Sequence, residues 1–181
     1  MSDTTRSTEE LAEEALEPVV SVQSHVPDDA MSAGLLGTER SGHGVRIRDD
    51  GLIVTIGYVI SEADQIWIKS AEGTAVPGIV ICNDFQSGLV LIRPTTPLPG
   101  PVMLPGRSQD LNVGDAVTVC SSAGIDPQVV EAQVVARQEF AGRWEYVLDD
   151  AIFTAPIHQN WSGAALLDLD GRLCGIGSLV I

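Results

Sequence analysis

The stretch Gly42-His43-Gly44-Val45-Arg46-Ile47-Arg48-Asp49-Asp50-Gly51-Leu52-Ile53-Val54-Thr55 sets the reading of this chain. Two β-rich runs, Gly44 to Ile47 and Leu52 to Thr55, flank Arg48-Asp49-Asp50-Gly51. An Asp-Gly pair between such runs signals a hairpin, because both residues tolerate the backbone of a tight turn. Upstream, Val19 to Val26 reads as a strand, and Pro27 to Gly42, rich in Asp, Ser and Gly, reads as a loop. Downstream, strands are predicted at Gln65 to Lys69, Val76 to Cys82 and Leu89 to Arg93, at the spacing of a barrel or sandwich.

Pro94, Pro97, Pro99, Pro101 and Pro105 then crowd a segment that cannot lie inside a sheet, since each lacks a ladder donor. Strands resume at Ala116 to Ser121, Val129 to Arg137, Trp144 to Leu148, Ala164 to Leu169 and Leu173 to Ile181, with Asp168-Leu169-Asp170-Gly171 as a second Asp-Gly turn. Ser7 and Glu10 form a capping box, so a short helix should begin near Thr8 and stop at Pro18. The expected organisation is a disordered stretch 1–8, a first β-barrel lobe with its leading helix over 9–93, a Pro-rich connection over 94–112 and a second β lobe over 113–181.

A chain of 181 residues with 44% hydrophobic content can bury a real core, and its Gly, Val and Ile content leans to an all-β class. The net charge of −15 argues against nucleic acid, where cationic side chains must displace counterions, and against anionic lipid. Glu9, Glu10, Glu13, Glu14 and Glu17 concentrate part of it near the N-terminus. No basic stretch leads into an apolar run, and Gly51 to Ile60 is too short to cross a bilayer, so a cytoplasmic location is expected. Cys82, Cys120 and Cys174 are odd in number and set in apolar stretches, which predicts three reduced, buried thiols. None has the close Cys or His neighbour of a zinc site, so neither metal nor cofactor is expected.

The opening stretch and Trp161-Ser162-Gly163-Ala164-Ala165-Leu166-Leu167-Asp168-Leu169-Asp170-Gly171-Arg172-Leu173-Cys174-Gly175-Ile176 together resemble the HtrA (Deg) family of serine proteases. There the first reads G-S-G, hairpin, D-G-x-I-L-T-N-x-H-V-V, and the second G-N-S-G-G-P-L-x-x-x-x-G-x-x-I-G-I. The resemblance runs from about residue 9 onward. It implies a chymotrypsin/trypsin-like double β-barrel with a short N-terminal helix. In that family a last strand follows the segment matching Leu173 to Ile181, so the second barrel is expected to be incomplete, with an unpaired edge that invites another chain.

Carried over residue by residue, the family's catalytic serine falls on Ser162. Its histidine position holds Tyr58, and its aspartate position, in Asp84-Phe85-Gln86-Ser87-Gly88-Leu89, holds Gly88. The oxyanion-hole position two residues before the serine is Asn160, which tolerates a left-handed backbone better than most residues, so a donor N–H there is compatible with the chain. Trp161 stands where the family has Asn and is expected to pack as core or lid, or to bind a ligand in the cleft. Of the three histidines, His158 is the one candidate for a substitute base, with an ordinary polar role in the pocket loop as its plainer reading. His25 and His43 are expected to be structural or solvated, and Tyr58 a packed aromatic whose hydroxyl bonds near Ser162.

A serine hydroxyl attacks a carbonyl only when a positioned base takes its proton. A phenol with a pKa of about 10 is not that base at neutral pH. The expected function is therefore a catalytically inactive protease homologue that binds a peptide or protein, or regulates one. The alternatives are an active HtrA-like serine endopeptidase with a rearranged or partner-supplied base, and a scaffold that forms a homo-oligomer or joins an active relative.

Overall fold

The computed structural model describes residues 14–121, 128–142 and 146–180. The chain builds two β units. In the first, strands β1 (Val19–His25), β2 (Glu39–Arg46), β3 (Ile53–Ile56), β4 (Gln65–Lys69), β5 (Ala75–Asp84) and β6 (Leu89–Pro94) close into a barrel in the order β1-β2-β3-β6-β5-β4. In the second, β7 (Ala116–Ser121), β8 (Gln128–Ala141), β9 (Val147–Ala155), β10 (Ala165–Leu167) and β11 (Leu173–Ile176) form a five-stranded sheet in the order β11-β10-β7-β8-β9, all pairs antiparallel. This is the architecture of a trypsin-like double barrel whose second half is a curled, open sheet.

The opening hairpin forms as its sequence requires. Ile47 donates to the carbonyl of Leu52, and Gly51 closes back on Arg48. Alternation along β1 sends Val20 and Val22 into the barrel, where they are fully buried with Ile53, Ile68 and Ile92, while Val19 and its β2 partner Val45 face the other side. Each such side chain contributes about 1.5–3 kcal/mol by leaving water. A separate cluster of Val19, Val45, Val54, Met103, Cys120, Ala165 and Leu167 draws on both units and packs one against the other.

Several expectations change at element boundaries. The segment read as a loop from Pro27 to Gly42 contains a one-turn helix, α1 (Ala33–Leu36), and β2 begins at Glu39, because its register against β1 extends from Val19↔Val45 to His25↔Glu39. A second one-turn helix, α2 (Gly57–Ile60), follows β3 directly. The strand expected at Trp144 to Leu148 runs instead from Val147 to Ala155, since β8 continues to Ala141 and pairs along that length, while Trp144 lies outside the described residues. The last strand ends at Ile176, because its pairing with β10 spans only Leu173 to Ile176. The capping box and the stretch 1–8 also lie outside the described residues; helix is present over 14–16.

Cys82 departs from the expectation of burial. It is exposed near the end of β5, whereas Cys120 and Cys174 are buried, and all three are free thiols. Burial pushes the Cys120 thiol up to about 12, which makes it inert. No helix among the described residues is long and apolar enough to cross a membrane.

Candidate functional site

Ser162 sits in the turn between β9 and β10, at the seam of the two units. Its carbonyl accepts from the His43 backbone N–H at 2.8 Å, and the His43 ring places Nδ1 3.0 Å from the same oxygen. Gly163 donates to Gly177 at 2.8 Å, and Gly177 donates back to Ala164 at 2.7 Å. Gly163 has φ +77°, and a Cβ there would stand 2.0 Å from the His43 carbonyl oxygen, so only glycine fits. The serine is thus held by β2 on one side and by the segment after β11 on the other. Its Oγ rests against Gly42, where a Cβ would lie 2.8 Å away.

Tyr58 reaches this serine from α2. Its Oη lies 2.8 Å from Ser162 Oγ and 3.0 Å from the Ser178 carbonyl oxygen. A carbonyl only accepts and a phenol carries one proton. Both bonds therefore coexist when Tyr58 donates to Ser178 and the serine hydroxyl donates to Tyr58 Oη. The serine proton points at a neutral phenol. Arg40, 7% exposed, fixes the helix that carries Tyr58 by donating from Nη1 to the carbonyls of Tyr58 and Ser61. The rings of Tyr58 and Trp161 lie 6.1 Å apart at 48°, within the range of favourable aromatic contact.

Gly88 lies beside Tyr58 in space, since its carbonyl accepts from Gly57 at 2.8 Å. It has φ +73°, and a Cβ there would stand 2.3 Å from Cδ1 and 2.4 Å from Cε1 of Tyr146. Tyr146 is 8% exposed and belongs to the core of the first barrel. Its ring fills the space into which a side chain at position 88 would project.

His158 is buried and turned away from Ser162. Its Nδ1 accepts from the Asn160 backbone N–H at 3.0 Å, so Nε2 carries the proton toward the Gln128 carbonyl at 3.2 Å. Burial holds this imidazole below its ordinary value, against the raising effect of the Gln128 carbonyl. Burial also lowers His43; the Ser162 carbonyl opposes this, while nearby His158 reinforces it. Both rings are neutral props of the turn.

The same bond answers the question raised by Asn160. Among the described non-glycine residues Glu62 has positive φ, and Asn160 does not. Its N–H points at His158 rather than into an anion-binding hollow. His25 ends β1 at the surface with its Nδ1 on the Glu39 carboxylate, remote from the site.

The profile of the trypsin-like peptidase domain matches residues 42–176. The chain belongs to the trypsin-like peptidase family. Among curated members of that family, the chain is 34% identical over 151 residues to "Serine protease HTRA4" of Mus musculus, covering 78% of this chain and 30% of that one. It is 30% identical over 149 residues to "Serine protease HTRA1B" of Danio rerio, with the same shares. This trypsin-like chain therefore spans 30% of the length of these relatives. The solved structure "HtrA-type protease AlgW with tripeptide" superposes with TM-score 0.76 at 22% identity, covering 94% of this chain and 54% of that one, a likeness of fold.

Sequence reasoning brought Tyr58, Ser162, Trp161, Asn160 and His158 to one place, and the structure gathers them there. It missed Tyr146, Ser178 and the clamping role of His43. Tyr146 and Gly88 are far apart along the chain and share no local pattern, so no sequence signal joins them.

Proposed function

We propose that this chain is a catalytically silent trypsin-like peptidase homologue that holds a peptide or protein segment without cutting it. The observation that carries this reading is the 2.8 Å contact between Tyr58 Oη and Ser162 Oγ. A base at that station would withdraw the serine proton; a phenol of pKa about 10 retains its own. The Tyr146 ring against Gly88, where a carboxylate side chain would project, and the Asn160 N–H already bonded to His158 support the same reading. Loss of triad function in related chemistry costs about 10⁴ to 10⁶ in turnover.

The test is labelling of Ser162 by a fluorophosphonate and hydrolysis of unfolded casein, each compared with Ser162→Ala. Unlabelled protein and equal rates are expected. Stoichiometric labelling would remove the proposal and favour the second reading, a working endopeptidase with a base supplied by a partner. That reading draws on the surviving Ser162 and on relatives named as serine proteases.

A further inference from the structure

The outer wall of the first barrel carries a tryptophan in the open. Trp67 stands midway along β4, paired with Gln23 of β1 on one side and Pro77 of β5 on the other, and stays 44% exposed. Strand alternation sends its neighbours Ile66 and Ile68 into the core, so the indole faces outward. On that face the registers Gln23↔Trp67, His25↔Gln65 and His25↔Glu39 bring five side chains together. They line a groove of about 310 Å³ that shares no lining residue with the cleft beside Trp161. Among the described residues the Gln23 and Gln65 amides and the Trp67 indole N–H have no hydrogen-bond partner. His25 Nδ1 holds one Glu39 oxygen at 2.5 Å, and that bond raises the imidazole, so the carboxylate is not a free charge.

We infer that this face binds a neutral saccharide, with one pyranose ring stacked on Trp67 and its hydroxyls on Gln23, Gln65 and Glu39. This goes beyond the silent-peptidase reading and does not depend on it.

The occupant follows from the mix of groups. A pyranose presents C–H bonds on one face and a rim of hydroxyls that both donate and accept. The negative face of an indole attracts polarised C–H, an amide offers donor and acceptor together, and a carboxylate accepts. An extended peptide has no edge to join here, because β4 is paired on both sides at Trp67. A protein anchored on Trp67 would need a dry apolar surround, whereas Gln23, His25, Glu39 and Gln65 are polar. An anion is opposed by Glu39 and by Asp64 and Asp28 near His25. A cation would need a free carboxylate in the groove, where Glu39 is the one present and is bonded to His25.

The probes are maltotriose and cellotriose, neutral glucose trimers of different linkage, titrated into the isotope-labelled 181-residue protein and followed by NMR. At least one should shift the Trp67 indole N–H and the Gln23 and Gln65 side-chain amides saturably, with a Kd of about 10 mM or tighter, and leave the Trp161 indole in place. Trp67→Ala should abolish the shifts, and Gln23→Ala or Gln65→Ala should weaken binding at least about threefold. Trp67→Phe, with its smaller ring, should keep a weakened response, each variant retaining the parent's urea midpoint. The inference is overturned by no saturation with either sugar at about 100 mM, by binding that survives Trp67→Ala, or by equal shifts with tetramethylammonium. A concentration-dependent dimer that disappears in Trp67→Ala would overturn it in favour of a protein interface. Each of these outcomes leaves the reading of Ser162 untouched.

Discussion

The α-carbon of Gly88 faces the ring of Tyr146 so closely that a Cβ would come within 2.3 Å of Cδ1. The two positions act as one unit. The glycine makes room for the aromatic ring, and the ring fills the room where a carboxylate would orient a histidine. A carboxylate at position 88 would therefore require the Tyr146 ring to move as well.

Gly88→Asp is expected to destabilise the protein by about 2 kcal/mol or more, through positive φ and overpacking against Tyr146. In a Tyr146→Gly background the added cost should fall by at least half, a coupling measured by urea unfolding of the four proteins in the cycle. The double variant Tyr58→His with Gly88→Asp should gain no casein hydrolysis over the parent. Additive costs would show that the ring does not hold this space.

Tyr58→Phe removes the hydroxyl that links Ser162 to the Ser178 carbonyl. The expected loss is about 0.5–1.5 kcal/mol in urea unfolding, with Ser162 still unlabelled by fluorophosphonate. Rapid labelling of the phenylalanine variant would mean that the phenol masks a reactive serine.

Burial keeps the imidazoles of His43 and His158 below their ordinary value of 6.5, so the unfolded chain binds more protons near that pH. Their contribution is complete above about pH 6.5 and is lost as pH falls through the folded values. His25, raised by its bond to Glu39, opposes this from an exposed position. The urea midpoint should drop between about pH 7.5 and 5.5, and drop less in His43→Asn. A flat or rising midpoint would contradict the buried, neutral clamp.

Gly163→Ala should disrupt the serine turn, because φ +77° and a carbonyl at 2.0 Å leave no place for a methyl group. A loss of about 2 kcal/mol or more is expected. Faster amide exchange at His43 and Gly177 would locate the damage, and an unchanged unfolding curve would refute the packing described.

The hairpin around Asp50-Gly51, the turn at Asp168 to Gly171 and the strand at Val19 were legible because each depends on a pattern only a few residues long. The apolar run at Val19 to Val22 reads as a buried strand from its own composition, and an Asp-Gly turn needs no distant partner. Boundaries were less legible: β2 begins at Glu39 because β1 offers hydrogen-bond partners there, and β8 lengthens because β9 pairs along it. The exposure of Cys82 had the same cause, since an apolar run says nothing about which strands the sheet leaves uncovered.

From sequence alone came a phenol at position 58 and a hydrogen at position 88, where the family resemblance would put an imidazole and a carboxylate. Those are properties of side-chain identity, the same in any conformation. Tertiary structure alone decided that Tyr146 fills the vacated space, that His158 captures the Asn160 N–H, and that Gln23, Glu39 and Trp67 share one face of the barrel. Each of those depends on a distance between groups remote in sequence, which a chain acquires only when its barrels close around them.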